Sequence, residues 1–373
     1  MNFDLTEEQH LLQDGARRFI HERYGFETRR NIVSSTAGYS SAHWTSFAEL
    51  GWLALSLPED AGGLGLSFVD MALLLEEFGR GLVVEPFLSS VVLGARILER
   101  AATPRALALL EAIATGLAKV ALAHDEPGER HCRDIVTTMA RPTSNGFILN
   151  GAKIVVFDGP SADYLIISAQ LEGDGVLALF LLEMGVTAPV RTAYPLVDGT
   201  RALDCEFQDL VLPADALLAK GGIAVEIFEE ALDRATLGQA AESIGAMEAV
   251  LQLTSDYIKT RMQFGQPIGK FQALQHRMAE MFTDTQSARS LLFHGLSAID
   301  APAPARAAAI SAAKVGIMQA GKSVTAHGMQ LHGGMGMTDE VPVGHYFKRL
   351  IALEKAYGDI DWHLARFTQL SVC

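Results

Sequence analysis

The chain has 373 residues, a formal charge of −14, 49% hydrophobic and 20% charged residues, which suits a folded protein of two or three domains with a large core. Excess acid disfavours nucleic acid and anionic membrane as partners, because phosphate-rich surfaces are bound through clustered Lys and Arg. The longest apolar run, Val176 to Leu182, ends at Glu183 and falls far short of the roughly 20 residues a spanning helix needs.

The acidic start, Met1 to Gln9, lacks the basic and apolar segments of a signal peptide, so the expected location is cytoplasmic. Cys132, Cys205 and Cys373 are scattered without CxxC spacing, which argues against a disulfide framework and a zinc site. His276, His332 and His363 are not at metal-ligand spacing either, and no metal is expected.

In chain order, Thr6 and Gln9 fit a capping box that opens a helix with Leu11, Leu12, Ala16, Phe19 and Ile20 at helical spacing. A second helical pattern runs from Trp44 to Leu50 and stops at Gly51. A third begins near Ser67 after the turn residues Asp60 to Gly65. Residues 1–116 are therefore expected to form an N-terminal helical domain. Residues 117–221 change texture, with short β-rich runs at Ile135–Met139, Phe147–Leu149, Ile154–Phe157, Tyr164–Ile167, Val176–Leu182 and Asp204–Leu212. Asn150-Gly151 predicts a two-residue hairpin between two of them. Residues 222–373 return to long helices, with apolar stripes at Ile244, Met247, Val250, Leu251 and Ile258, at Leu274, Met278 and Met281, and along the Ala-rich stretch Ala307–Ala320.

That helical, β, helical order resembles the acyl-CoA dehydrogenases, and so do several segments in sequence: Glu49 to Leu55 leading into Pro58 to Gly65, Glu126-Pro127-Gly128, Asn150-Gly151-Ala152-Lys153, Arg261 to Gly269 with Phe271-Gln272, and Gln330 to Gly336. The resemblance runs from Phe3 to about Arg366. It implies an α+β chain of the acyl-CoA dehydrogenase fold: an N-terminal helical domain, a central small β-barrel-like domain and a C-terminal four-helix bundle. It also implies FAD as cofactor, an acyl-CoA substrate, electron-transfer flavoprotein as electron acceptor, a tetramer, and a place in fatty acid or dicarboxylate catabolism.

The family grips the adenosine diphosphate half of FAD across the subunit interface. That function maps to Arg261, Gln263, Phe264, Phe271, Gln272, Gln330, Gly333 and Gly334, which would hold the flavin of a neighbouring chain. The chemistry suits the residues: guanidinium forks match phosphate oxygens, and consecutive glycines admit close backbone donors. Without the resemblance, Gly265 followed by Pro267 reads equally as a helix end, and Gly333-Gly334 as an ordinary turn.

The sequence departs from the family at the base that removes the substrate α-proton. One usual Glu position falls at Tyr357 in Ala356-Tyr357-Gly358-Asp359, the other at Ala235. The residue that follows Glu-Gly is Asp359 rather than Thr. The Trp and Thr that flank the isoalloxazine fall at Val155 and Phe157, and the Arg of Asp-x-x-Arg at Thr236, with Arg234 a shifted substitute. Asp359, Glu354 and Glu242 are the remaining candidate carboxylates.

The expectation is a supporting subunit paired with a catalytic partner that carries the Glu. A self-sufficient enzyme with a displaced carboxylate and a non-catalytic acyl-CoA-binding scaffold are the alternatives. Within the family the chain resembles the small subunit of pimeloyl-CoA dehydrogenase-like enzymes through Phe78 to Pro86, Phe271 to Arg277 and Gly344 to Leu350. This suggests dicarboxylic, long or bulky acyl chains.

Overall fold

The computed structural model describes residues 4–128, 133, 136–185 and 189–371. Cys132, Cys373, Ile135 and the first three residues lie outside them. Before the sheet come α1 (Glu7–Arg23), α2 (Phe26–Ser34), α3 (Ser41–Glu49), α4 (Phe68–Gly81), a π-helical turn (Leu88–Gly94), α5 (Ala95–Ala101) and α6 (Pro104–Ala114), with short 3-10 turns at Trp52–Ala54 and Glu59–Ala61. The capping box forms as read: Thr6 accepts from the Gln9 amide at 3.2 Å, and the Gln9 side chain accepts from the Thr6 amide at 3.1 Å. Gly51 ends the α3 segment with φ +74, a conformation glycine adopts without a Cβ penalty.

Eight strands form one mixed sheet: β1 (Val120–Ala123), β2 (Met139–Thr143), β3 (Gly146–Phe157), β4 (Tyr164–Leu171), β5 (Leu177–Glu183), β6 (Val190–Pro195), β7 (Arg201–Pro213) and β8 (Leu217–Lys220). Their order is β6-β7-β3-β2-β4-β5-β8, with β1 parallel beside β4. The run around Val176–Leu182 becomes β5, buried from Ala178 to Leu182.

Two expectations fail here. Residues 136–138 precede β2 rather than forming a strand, and Asn150-Gly151 is no hairpin. β3 passes straight through that pair with a register shift against β7 between Leu149 and Gly151. Asn150 instead pairs its side chain with Asp209, accepting from its amide at 2.8 Å. Gly151 lies at φ +148, with the space for a Cβ filled by Thr138. The Asn-Gly pair therefore serves a bulge, the other structure that needs a residue without a Cβ. The β2–β3 turn falls instead between Thr143 and Gly146.

The chain closes with α7 (Gly222–Thr260), α8 (Gln272–Ala298), α9 (Ala303–His332), α10 (Val343–Lys355) and α11 (Ile360–Ser371). Ile244, Met247, Val250 and Ile258 are buried as the stripe predicts, and so is Met281, whereas Leu251, Leu274 and Met278 are half-buried.

Two compact units emerge: Met1–Arg30, Phe68–Val83 and Thr236–Cys373 in one, Asn31–Ser67 and Val84–Ala235 in the other. The first is organised by a crossing of α4 and α7 at touching distance. A Cβ on Gly79 would lie 1.8 Å from the Glu242 carbonyl oxygen, and one on Gly245 1.7 Å from that of Glu76. The second is built around a core that includes Leu149, Leu165, Ile167, Phe180, Leu203 and Phe207 on the sheet.

Candidate functional site

The two segments expected to form the clamp meet at one end of the helical unit. In the last turn of α7, Tyr257 stacks on His332 at the end of α9, with ring centroids 4.4 Å apart. Its hydroxyl also donates to the His332 carbonyl at 3.4 Å. One turn beyond Tyr257, Arg261 begins a tight antiparallel hairpin in which Gln263 pairs with Gln266. Next to His332, Gly333 takes φ +63.

Arg261, Gln263, Phe264, Gln272, Gln330, Gly333 and Gly334 are exposed, and Phe271 is half-buried. Phe264 is 89% exposed and sits edge-on to Phe271 at 5.9 Å. Nothing lies within 4 Å of where a Cβ would stand on Gly333 or Gly334. Exposed Phe264, a guanidinium one turn past a fixed stack and an open glycine pair form a surface that fits a flat base and a pyrophosphate presented from outside.

The segment at the usual base position is built differently. Tyr357 is left-handed at φ +57, a strained state for a residue that is neither Gly nor Asn. Its carbonyl accepts from His363 Nε2 at 3.2 Å, and His363 Nδ1 meets Ser311 Oγ at 3.1 Å. Lys314, fully buried on α9, donates to the Ala356 carbonyl at 3.1 Å, the Leu353 carbonyl at 2.6 Å and Gln239 Oε1 at 2.9 Å. Gly358, at φ +105, leaves no room for a Cβ beneath Trp362 and His363.

The candidate carboxylates have structural work. Asp359 caps α11, its Oδ1 accepting from the Trp362 amide at 3.0 Å. Glu354 accepts from the Ile360 amide at 3.3 Å and pairs with Lys355 at 3.0 Å. Glu242 is held by Arg349, whose Nε donates at 2.7 Å and whose Nη2 lies 2.6 Å away. Ala235 and Thr236 are both buried, and Arg234 turns to Glu230 at 3.4 Å. Of the histidines, His332 is satisfied by the Gly328 carbonyl at 2.8 Å, and His276 is exposed.

In the β-domain, the strand where isoalloxazine-flanking residues would stand carries a second strained residue. Val155 has φ +50 at a bulge against β7, and its amide donates to Asp204 Oδ1 at 2.9 Å. Tyr194 donates to the same oxygen at 2.7 Å, and its phenol is pushed up to about 12, chiefly by burial and then by that carboxylate. The Val155 backbone donor at the bulge is thus consumed within the chain, and the Phe157 side chain carries no donor. This half does not fit a flavin ring.

Behind it, the fully buried Lys153 donates to Glu126 Oε1 at 2.6 Å, Ser168 Oγ at 3.0 Å and the His124 carbonyl at 3.1 Å. Burial brings the Lys153 ammonium down to about 8 despite that partner. On Glu126 burial pushes upward, but Lys153 and the Thr137 and Thr138 donors outweigh it and hold the carboxyl down at about 2. This pair fastens the Glu126-Pro127-Gly128 segment to β3.

The sequence reading missed Lys314 and Asp204. A lysine inside the Ala-rich stripe of α9 is itself a signal of a buried cation awaiting carbonyls, whereas nothing around Asp204 distinguishes it. Among the described residues no cluster of His, Cys, Asp and Glu is arranged to hold a metal. Among the described residues no helix is long and apolar enough to cross a membrane.

A run of helices, an eight-stranded sheet and a closing run of long helices, in that chain order, make up the architecture of the acyl-CoA dehydrogenase fold. Residues 6–117 match the acyl-CoA dehydrogenase N-terminal domain, and residues 224–367 the C-terminal domain. Acyl-CoA dehydrogenase IpdE2 of Mycobacterium tuberculosis is 33% identical over 348 residues, covering 92% of this chain and 91% of that protein. The chain belongs to the acyl-CoA dehydrogenase family, whose members are FAD flavoproteins.

Among solved structures, the ChsE4-ChsE5 complex from Mycobacterium tuberculosis superimposes with a TM-score of 0.90 at 26% identity, over 100% of this chain and 99% of that one. A variant of the Tcur3481-Tcur3483 steroid ACAD does so at 0.89 and 28%, over 98% of each chain.

Proposed function

We propose that this chain is the supporting subunit of a heteromeric, FAD-dependent acyl-CoA dehydrogenase. Its partner, of the same family, carries the catalytic Glu. The observation that carries the reading is a division within the chain. The clamp residues lie exposed at one end of the bundle, while every carboxylate near the usual base positions is committed elsewhere, Asp359 and Glu354 to the head of α11 and Glu242 to Arg349. A carboxylate whose oxygens already accept from an arginine or from helix amides has those lone pairs occupied, which leaves it poorly placed to accept a substrate proton.

In this reading Arg261, Gln263, Phe264, Phe271, Gln272, Gln330, Gly333 and Gly334 grip the adenosine diphosphate half of the partner's FAD. The flavin supplies hydride acceptance when bound; this chain contributes binding and orientation. The β-domain strand at Val155–Phe157 takes no flavin of its own, because the Val155 amide is already spent on Asp204 and the Phe157 side chain carries no donor. Two of the similar structures are named for pairs of proteins, ChsE4-ChsE5 and Tcur3481-Tcur3483, which favours a paired assembly here too. Electron-transfer flavoprotein is the proposed acceptor, the cytoplasm the proposed location, and a dicarboxylic, long or bulky acyl-CoA the proposed substrate.

The test is to purify the chain alone and with a candidate partner, and to measure flavin absorbance per chain and acyl-CoA-dependent dye reduction. Flavin and activity appearing only on mixing are expected. Stoichiometric flavin with activity in the lone chain would overturn the reading, and no flavin in either case would favour a scaffold.

A further inference from the structure

The glycine half of the clamp is fastened from beyond Gly334. The chain makes a 3-10 turn over Gly333–Met337, closed by the Thr338 amide and hydroxyl, which donate to the Met335 carbonyl at 3.1 and 2.9 Å. It then comes down on α10, where a Cβ on Gly344 would stand 3.0 Å from the Gly336 carbonyl oxygen. One imidazole holds it there. His345, on α10, meets the Asp339 carbonyl through Nε2 at 3.2 Å and Arg29 Nη1 of α2 through Nδ1 at 3.4 Å, with the Phe26 ring edge-on at 4.9 Å. Arg29 is itself buried and donates to the Leu82 carbonyl at 2.9 Å.

These two partners suit one protonation state of the ring. A guanidinium only donates and a carbonyl only accepts, so Nδ1 is the bare acceptor and Nε2 carries the hydrogen. A second proton would set an N–H against the Arg29 N–H groups, with like charge facing like. The charged side chains that face the ring are Arg29 from α2, Lys348 one turn along α10, and Asp339 from the segment, which pairs with Lys348 at 2.7 Å. Arg30 is turned to Glu27 at 3.1 Å. Burial holds the imidazole below its ordinary 6.5, aided by Arg29 and Lys348 and opposed by the Asp339 carbonyl and carboxylate. The contact is therefore complete above that value and is lost as pH falls below it.

We propose that neutral His345 is a positioning residue that clasps the segment after the glycine pair between α2 and α10, and that protonation opens the clasp and loosens this chain's hold on FAD. The link to FAD rests on the clamp reading above. The clasp itself belongs to the lone chain and can be followed without flavin.

Hydrogen exchange in the full-length chain, read by mass spectrometry on peptides covering residues 333–342 and corrected for the intrinsic rate at each pH, tests the clasp. Protection is expected to fall roughly fivefold between about pH 7.5 and about pH 5, the worth of about one hydrogen bond. His345→Gln, whose amide can accept from Arg29 and donate to Asp339 yet takes up no proton, should remove that dependence. His345→Lys places a permanent cation beside Arg29 and should show the low protection at both pH values. FAD retained by the mixed subunits after gel filtration should likewise fall severalfold with acid in the parent and hold level in His345→Gln.

Protection that stays constant with pH in the parent, or that falls equally in His345→Gln, would overturn the proposal. FAD retention that falls alike in both chains would do the same, since it would place the acid-sensitive group elsewhere. No FAD uptake at any pH would refute the paired reading and with it the link to FAD, while hydrogen exchange in the lone chain still decides on the clasp.

Discussion

Lys153 and Glu126 are each almost wholly buried, and each supplies what the other needs to stay charged. Removing one partner from such a pair leaves an uncompensated charge, so Glu126→Gln is expected to cost about 3 kcal/mol at neutral pH by urea denaturation. The acid limb follows from the sign of the shift. Glu126 has a folded value of about 2 against an ordinary 4.5, so its contribution is complete above 4.5 and is lost as pH falls toward 2. Stability measured across that window should fall more steeply in the parent chain than in Glu126→Gln.

Tyr357 gives a second prediction at this scale. Tyr357→Glu in the lone chain is expected to leave acyl-CoA-dependent dye reduction at background. The turn's geometry is fixed by Lys314 and His363, and its next acid, Asp359, is a helix cap rather than a spare base. Measurable turnover in that single variant would mean the site had kept its catalytic shape.

Among the elements, the crossing of α4 and α7 sets the tolerance of the helical unit. Gly245→Ala places a methyl carbon against the Glu76 carbonyl and is expected to destabilise by about 2–3 kcal/mol, read from the denaturation midpoint. Gly334→Ala meets nothing and should leave the midpoint in place while reducing FAD uptake on mixing with the partner, a split that separates packing glycines from binding ones.

Such distinctions were only partly legible in the sequence. Helix starts and stops at Thr6 and Gly51 could be read because they depend on neighbours within four residues. The role of Asn150-Gly151 could not, because a bulge and a hairpin ask for the same residues, and only the partner strand carrying Asp209 decides between them. The α9 helix runs on through Gly316, Gly321 and Gly328, since each faces a side chain at close quarters, Leu291, Leu350 and Val250 respectively. At the site, the residues proposed for the clamp stand out in the sequence as motifs, and most of them are exposed. The commitments of Glu242, Glu354 and Asp359 were not, because their partners are other side chains or amides that only folding brings near.

For the whole molecule, charge is unevenly shared. The chain carries −14 overall, yet the stretch from Tyr257 to Arg277 holds Lys259, Arg261, Lys270 and Arg277 and no acid. A local basic surface on an acidic protein attracts a pyrophosphate while discouraging unspecific association, and its pull weakens with ionic strength. FAD uptake by the mixed subunits, followed by flavin absorbance after gel filtration, is expected to fall severalfold between roughly 50 and 300 mM salt. Arg261→Gln should both lower uptake and flatten that dependence.

The runs that mark this chain's subgroup turn out to hold much of the helical unit together. Gly79 makes the α4–α7 contact, Arg80 joins Glu77 and Glu248, and the Leu82 carbonyl receives Arg29 at 2.9 Å. From α10, Tyr346 donates to the Arg80 carbonyl and Arg349 grips Glu242. Inheritance of those runs is therefore inheritance of a chassis. Two descendants could keep every one of these residues while drifting to different acyl chains, so shared spelling there dates kinship and leaves diet to be read from the residues that meet the thioester and its tail.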